Sequence, residues 1–227
     1  MPTARPPSSS TAAAQPPSPA RRTRRKAARP AELLQAATQL FVEKGYAATR
    51  VEEVARLAQV SKGTLFLYYP SKEALLKAVV RESVADHFVR WQQELRDFEG
   101  STPDMVRHAF QVWSEHIVHT PAGGICKLLA HECSNFPELG RFFLHEVVEP
   151  GHALVRYIVQ RGIARGEFRP VNVDAGLHLI LAPMFFFNQW KHSLGMQFPD
   201  SLGVGAQEFF DTHVDNLLRG LAAPCAP

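Results

Sequence analysis

Several protein classes are excluded by what this sequence lacks. Three cysteines in 227 residues (Cys126, Cys133 and Cys225) are too few for a disulfide-stapled scaffold and fit a reducing, cytoplasmic compartment. The longest apolar stretch, Leu179–Phe187, is interrupted by Pro183. It falls well short of the roughly 20 residues that span a bilayer, so no membrane partner is expected. No segment alternates apolar and polar residues as a strand does, and no internal repeat is visible. There is no G-x-S-x-G, no P-loop and no H-E-x-x-H, so no enzyme is expected. Gly203-Val204-Gly205 does not follow a strand and is not a dinucleotide loop. All ten histidines lie beyond residue 73, but no C-x-x-C or similarly tight ligand pair accompanies His116 and His119; neither a metal nor a cofactor is expected.

Acidic residues are also missing from the front of the chain. Residues 1–29 carry six Arg, one Lys and no acid, a charge of +7, while residues 73–227 carry −5. A basic front and an acidic remainder point to a polyanion partner for the front alone. Residues 1–20 are Pro, Ser and Ala with little to bury, and residues 1–29 read as a disordered tail ending in a basic arm, Arg21–Lys26. No apolar stretch follows that arm, which excludes an export signal.

What is present has a helical period. Leu33, Leu34, Ala37, Leu40 and Phe41 share one face, with Pro30 placed for a first turn and Gly45 for a C-terminal stop. Thr49-Arg50-Val51-Glu52 reads as a capping box opening a short helix. Ser61 caps a third short helix ended by Pro70, and Ser71 a longer fourth. Further starts stand at Thr102-Pro103-Asp104, Phe136-Pro137-Glu138 and Asn172 or Asp174. Val204–Leu221 closes the chain, and Pro150 is expected to kink or break the helix that contains it. The fold class is all-α.

Two short helices joined by a tight turn describe a helix-turn-helix. The second must enter a major groove about 12 Å wide. Lys62, Gly63 and Thr64 give it a thin, polar leading edge of one cation, one bare backbone and one small hydroxyl. They are the candidate base readers. Ser61 and Thr49 sit at helix starts, where free N–H groups attract phosphate, and Tyr68 and Lys72 can donate to phosphates from the far end.

The run FVEKGYAATRVEEVARLAQVSKGTLFLYYPSKEALL within Leu33–Leu76 resembles the DNA-binding domain of the TetR/AcrR family of bacterial transcriptional regulators. The resemblance covers about a fifth of the chain. It implies about nine helices, with a helix-turn-helix domain at 30–76 and a larger ligand-binding and dimerisation domain at 77–222. It also implies phosphate contacts from Thr49, Tyr68 and Lys72, and base reading by Lys62, Gly63 and Thr64. Three residues depart from the pattern. Gln59 stands where the family has a turn glycine. Either its backbone is left-handed, at a cost of about 1 kcal/mol, or the turn differs. Phe66 and Leu67 stand where tyrosines are usual, and Leu67 can meet a thymine methyl or simply lose one contact.

A helix-turn-helix regulator reads palindromic half-sites as a dimer. The last two helices are the candidate interface, through Leu177, Ile180, Leu181, Met184, Phe210, Val214, Leu217 and Leu218. The candidate ligand pocket takes Trp91, Phe110, Trp113, His116, Phe143, His178, Phe185 and Asn188. The expected function is a homodimeric repressor released from double-stranded operator DNA by a small apolar or amphipathic effector. An architectural DNA-binding protein without a ligand is the alternative, and a ligand-sized cavity distinguishes the two.

Overall fold

Prolines, glycines and short polar residues cut the chain into helices. In the computed structural model, which describes residues 19–223, there are nine among the described residues. They are α1 (Pro19–Ala48), α2 (Val51–Leu57), α3 (Lys62–Tyr68), α4 (72–96), α5 (102–118), α6 (Pro121–Glu132), α7 (137–164), α8 (Val173–Lys191) and α9 (Ala206–Leu221). Two single turns, Leu194–Gln197 and Pro199–Leu202, lie between α8 and α9. A lone bridge from Phe168 to Ala222 is the extended pairing found among these residues.

Caps explain most of the starts. Ser61, Ser71, Ser101, Thr120 and Asn172 each accept a hydrogen bond from a backbone N–H of the first turn, satisfying a donor the helix leaves open. For α5 the cap is therefore Ser101, not Thr102, which is fully buried. Gly45 (φ 81°) ends the regular part of α1, as its position suggests.

Three expectations about the helices need correction. The tail does not stay irregular up to residue 29, because α1 begins at Pro19. Residues 19–29 are mostly Ala, Arg and Lys, strong helix formers, and Pro19 suits a first turn. Pro30 thus lies inside α1, where it withholds one amide from the ladder. Residues 1–18 lie outside the described residues. Second, Thr49 does not cap α2; Arg50 holds that position, and its N–H is met by Glu53 Oε2 at 3.3 Å. Third, of the kink or break expected at Pro150, the break is absent, since α7 runs through it to Ala164. A π-turn, Leu144–Val148, immediately precedes it. The wider turn relieves the carbonyl four residues back, where the ring would otherwise clash.

A similar π-turn interrupts α4 at Arg81–Ala85, and another ends α5 at Ser114–Val118. Those of α4 and α7 are tied by a two-pronged contact, Arg81 Nη2 to Glu146 Oε1 at 2.7 Å and Nε to Oε2 at 3.3 Å.

Two apolar clusters form the interior. The first joins Leu33 and Phe41 of α1, Val54 of α2, Leu65 of α3 and Leu75, Leu76 and Val79 of α4 to Ile125 and Leu129 of α6. It therefore runs from the three-helix unit into the larger part. The second joins Met105 and Phe110 of α5, Ile158 and Val159 of α7, Ile180 and Phe187 of α8 and Phe210 and Val214 of α9. Each such side chain contributes about 1.5–3 kcal/mol when fully buried.

Candidate nucleic-acid interface and internal cavity

The turn between α2 and α3 closes through Gln59, whose φ of 54° places a non-glycine residue in the left-handed region. Of the two readings of this position, the strained one holds. The N-terminus of α3 follows at once. Ser61 Oγ accepts from Thr64 N at 3.1 Å, and the two hydroxyls lie 2.9 Å apart. Lys62 Nζ reaches Glu52 Oε1 on α2 at 2.5 Å and lies 5.7 Å from the Phe66 ring centre. That contact holds the Glu52 carboxyl below the usual carboxylate range. Gly63 is open to solvent, with no atom nearer than 3.8 Å to where a Cβ would stand. Leu67 is 85% exposed, an unusual setting for leucine. Leu65 is buried and anchors α3 from below. Together Ser61, Lys62, Gly63 and Leu67 make one exposed face, and Tyr68 sits half-buried at its far end.

Two of the expected phosphate contacts are otherwise engaged. Thr49 is 1% exposed, and its hydroxyl lies 2.7 Å from the Gly45 carbonyl and 3.1 Å from that of Leu40. Lys72 Nζ meets the carbonyls of Tyr46, Ala47 and Thr49 at 2.8, 3.2 and 3.0 Å and sits 4.5 Å from the Tyr46 ring centre. An ammonium has three protons, and here three carbonyls take them. Both residues fasten the end of α1, where helix carbonyls lack partners. Burial lowers the Lys72 pKa and raises that of Tyr46.

The larger part holds a half-open cavity of about 260 Å³ between α4, α5, α7 and α8, reaching Cys126 of α6. Of the expected pocket residues, Trp91, Phe110, Trp113, Phe143, Phe185 and Asn188 line it. His116 and His178 are not in its wall. His116 instead packs edge-on against Trp91 and bonds the Val112 carbonyl through Nδ1, while His178 is exposed and meets His152 edge-on. His152 itself lines the cavity, as do Val84, Phe88 and Gln189, which sequence reasoning missed. Apolar spacing marks Val84 and Phe88 only as buried. All three π-turns contribute to the wall, through Val84, Ile117 and Val147. Burial pushes the Cys126 thiol up to about 12.

Asn188 links this cavity to the front of the molecule. Its Nδ2 donates to the Gly123 carbonyl at 3.0 Å, and a Cβ on Gly124 would stand 2.9 Å from Val42 of α1. One turn further on, just past the end of α8, His192 packs over the same two glycines, and burial lowers its pKa.

The expected dimer residues turn inward. Leu177, Ile180, Met184, Phe210 and Val214 are buried within the single chain, Leu217 and Leu218 pack partly buried on the second cluster, and Leu181 joins Ile180 and Met184 in the cavity wall. The apolar face left uncovered on α8 is a different one, Leu179 (70% exposed) and Phe186 (50%), with Phe185 beside it and Met196 and Phe198 in the turns that follow.

These features define a helix-turn-helix DNA-binding protein with a helical, cavity-bearing second part. The family model for bacterial regulatory proteins of the TetR family matches residues 33–79, and one for tetracycline repressor-like C-terminal domains matches residues 99–193. The chain is 31% identical over 150 residues to the transcriptional repressor KstR2 of Mycolicibacterium smegmatis, covering 65% of this chain and 72% of that one. It is 45% identical over 62 residues to the regulator RutR of Escherichia coli, 27% of this chain and 29% of that one. The structure of FadR from Bacillus subtilis in complex with stearoyl-CoA matches with a TM-score of 0.69 at 18% identity, covering 84% of this chain and 98% of that one. Reduced NemR from E. coli matches at 0.66 and 20% identity, covering 87% and 99%. The chain belongs to the TetR family of transcriptional regulators. Its relatives are regulators and not enzymes. No helix among the described residues is long and apolar enough to cross a membrane.

Proposed function

We propose that this chain is a cytoplasmic, homodimeric repressor that binds a palindromic operator and is released by a small apolar or amphipathic effector. Residues 30–76 form the DNA-binding unit, and 77–222 the ligand-binding and dimerisation unit. The observation that carries this reading is α4. It starts beside the exposed face of α3 and continues as one helix to Val84, Phe88 and Trp91 in the cavity wall. An effector that fits the cavity better in one orientation of α4 shifts the spacing of the two recognition helices. Only that difference in affinity drives release. The presence of a cavity favours this over an architectural protein without a ligand.

Base reading falls to Lys62, Gly63 and Thr64, with Leu67 placed for a thymine methyl and Ser61 and Tyr68 for phosphates. Lys62 must leave Glu52 to reach DNA. Binding of the wild type and Lys62→Ala to a panel of single-base operator variants tests the assignment. Lys62→Ala loses about 1–3 kcal/mol of discrimination at one position of each half-site. An unchanged preference at every position rejects Lys62 as a reader.

A further inference from the structure

The charge of the cavity wall limits what can enter it, given the reading of the cavity as an effector site. No Lys or Arg lines it, and its one carboxylate is Glu94. That carboxylate is already opposed by Arg90, 3.6 Å away on the same helix. The nearest further cation along α7, Arg156, is paired with Asp174. His108 also lines the wall, stacked on Phe98, and two further ionisable groups favour their neutral forms. Burial lowers the pKa of His152, helped by the neighbouring His178 and Arg156, and burial keeps the Cys126 thiol protonated. An anion brought inside would give up its water with no Lys or Arg to meet, and a cation would meet only a carboxylate that Arg90 already opposes.

The wall is not indifferent to polarity, however. Trp91 and Gln189 both line the cavity, and each carries a buried polar atom without a partner among the described residues: an indole N–H and an amide carbonyl oxygen. Trp91 is more than nine-tenths buried. One donor and one acceptor, unmet in an apolar wall, suit a head that both accepts and donates. We propose that the effector enters this cavity as an uncharged, hydroxyl-bearing molecule with an apolar body, and that carboxylates and ammonium compounds of the same body are excluded.

The test holds the chain constant and varies the head. Octan-1-ol, octanoate and octylammonium are titrated at pH 8 into the DNA-free, full-length protein, with tryptophan emission and thermal midpoint as readouts. At that pH the acid is ionised and the amine protonated. Octan-1-ol binds at least ten-fold more tightly than either charged compound. Charged binding within ten-fold of the alcohol overturns the proposal while leaving the cavity an effector site. If none of the three binds, the effector-site reading itself fails. Ala109→Phe and Leu181→Phe narrow the cavity from two different helices. Each abolishes the response to octan-1-ol, and persistence of the response in either folded variant overturns the proposal.

Discussion

The ammonium of Lys72 donates to the main-chain carbonyl of Tyr46 at 2.8 Å, across 26 residues of chain. With its two further carbonyl partners, this makes Lys72 the fastening between α4 and the end of α1. Hydrogen bonds from a charged donor contribute about 1.5–3 kcal/mol. Lys72→Ala is therefore expected to lower folding stability by about 2 kcal/mol in urea titration. The salt dependence of DNA affinity should stay unchanged. A slope reduced by about 1 would instead mark a lost phosphate contact.

Gln59 gives the opposite sign. Its left-handed backbone places a Cβ where L-residues are strained by about 1–2 kcal/mol, part of which glycine forfeits through greater freedom in the unfolded chain. Gln59→Gly is expected to raise stability by up to about 1 kcal/mol with no change in DNA preference. Paired denaturant titrations of variant and wild type measure it.

Gly123 has no room for a side chain. A Cβ there would lie 2.4 Å from His192 Nε2, 2.5 Å from Asn188 Oδ1 and 2.8 Å from the Ile117 carbonyl. The last of these is backbone and cannot swing aside. Gly123→Ala is expected to cost about 1–3 kcal/mol, as overpacking does. Calorimetry on the DNA-free protein measures the loss, and an unaltered midpoint would mean that α6 and α8 separate freely.

The outward face of α8 should hold the second copy. Leu179→Glu and Phe186→Glu place charges on side chains already exposed in the single chain, so each protomer keeps its fold. Both are expected to convert a sedimenting dimer to monomer and to weaken operator binding at least ten-fold. Dimers that survive both changes would move the interface elsewhere.

The three-helix unit was readable because its signals are local. Ser61 and Ser71 sit one residue before the helices they cap, and Leu65 follows the helical period. Longer-range roles were not readable. Lys72 and Thr49 look like phosphate ligands both by chemistry and by the family resemblance, and nothing nearby in the sequence announces the carbonyl partners they meet at the end of α1. In α8, where apolar residues run nearly all round, periodicity cannot tell which side faces inward. Leu177 and Leu179 look alike in the sequence, yet one is buried and the other 70% exposed. The start of α6 carried a usable Thr120-Pro121 cap, obscured by Gly123-Gly124, which weakens any helix signal. His116 and His178 were reasonable polar pocket groups, but their rings pack edge-on against Trp91 and His152 instead.

The most direct measurement is selection of bound genomic fragments by the purified protein, followed by footprinting. A regulator of the proposed kind protects a single palindrome of about 15–20 base pairs, with two major-groove half-sites about one helical turn apart. Weak protection without sequence preference, lost as salt rises, would contradict it.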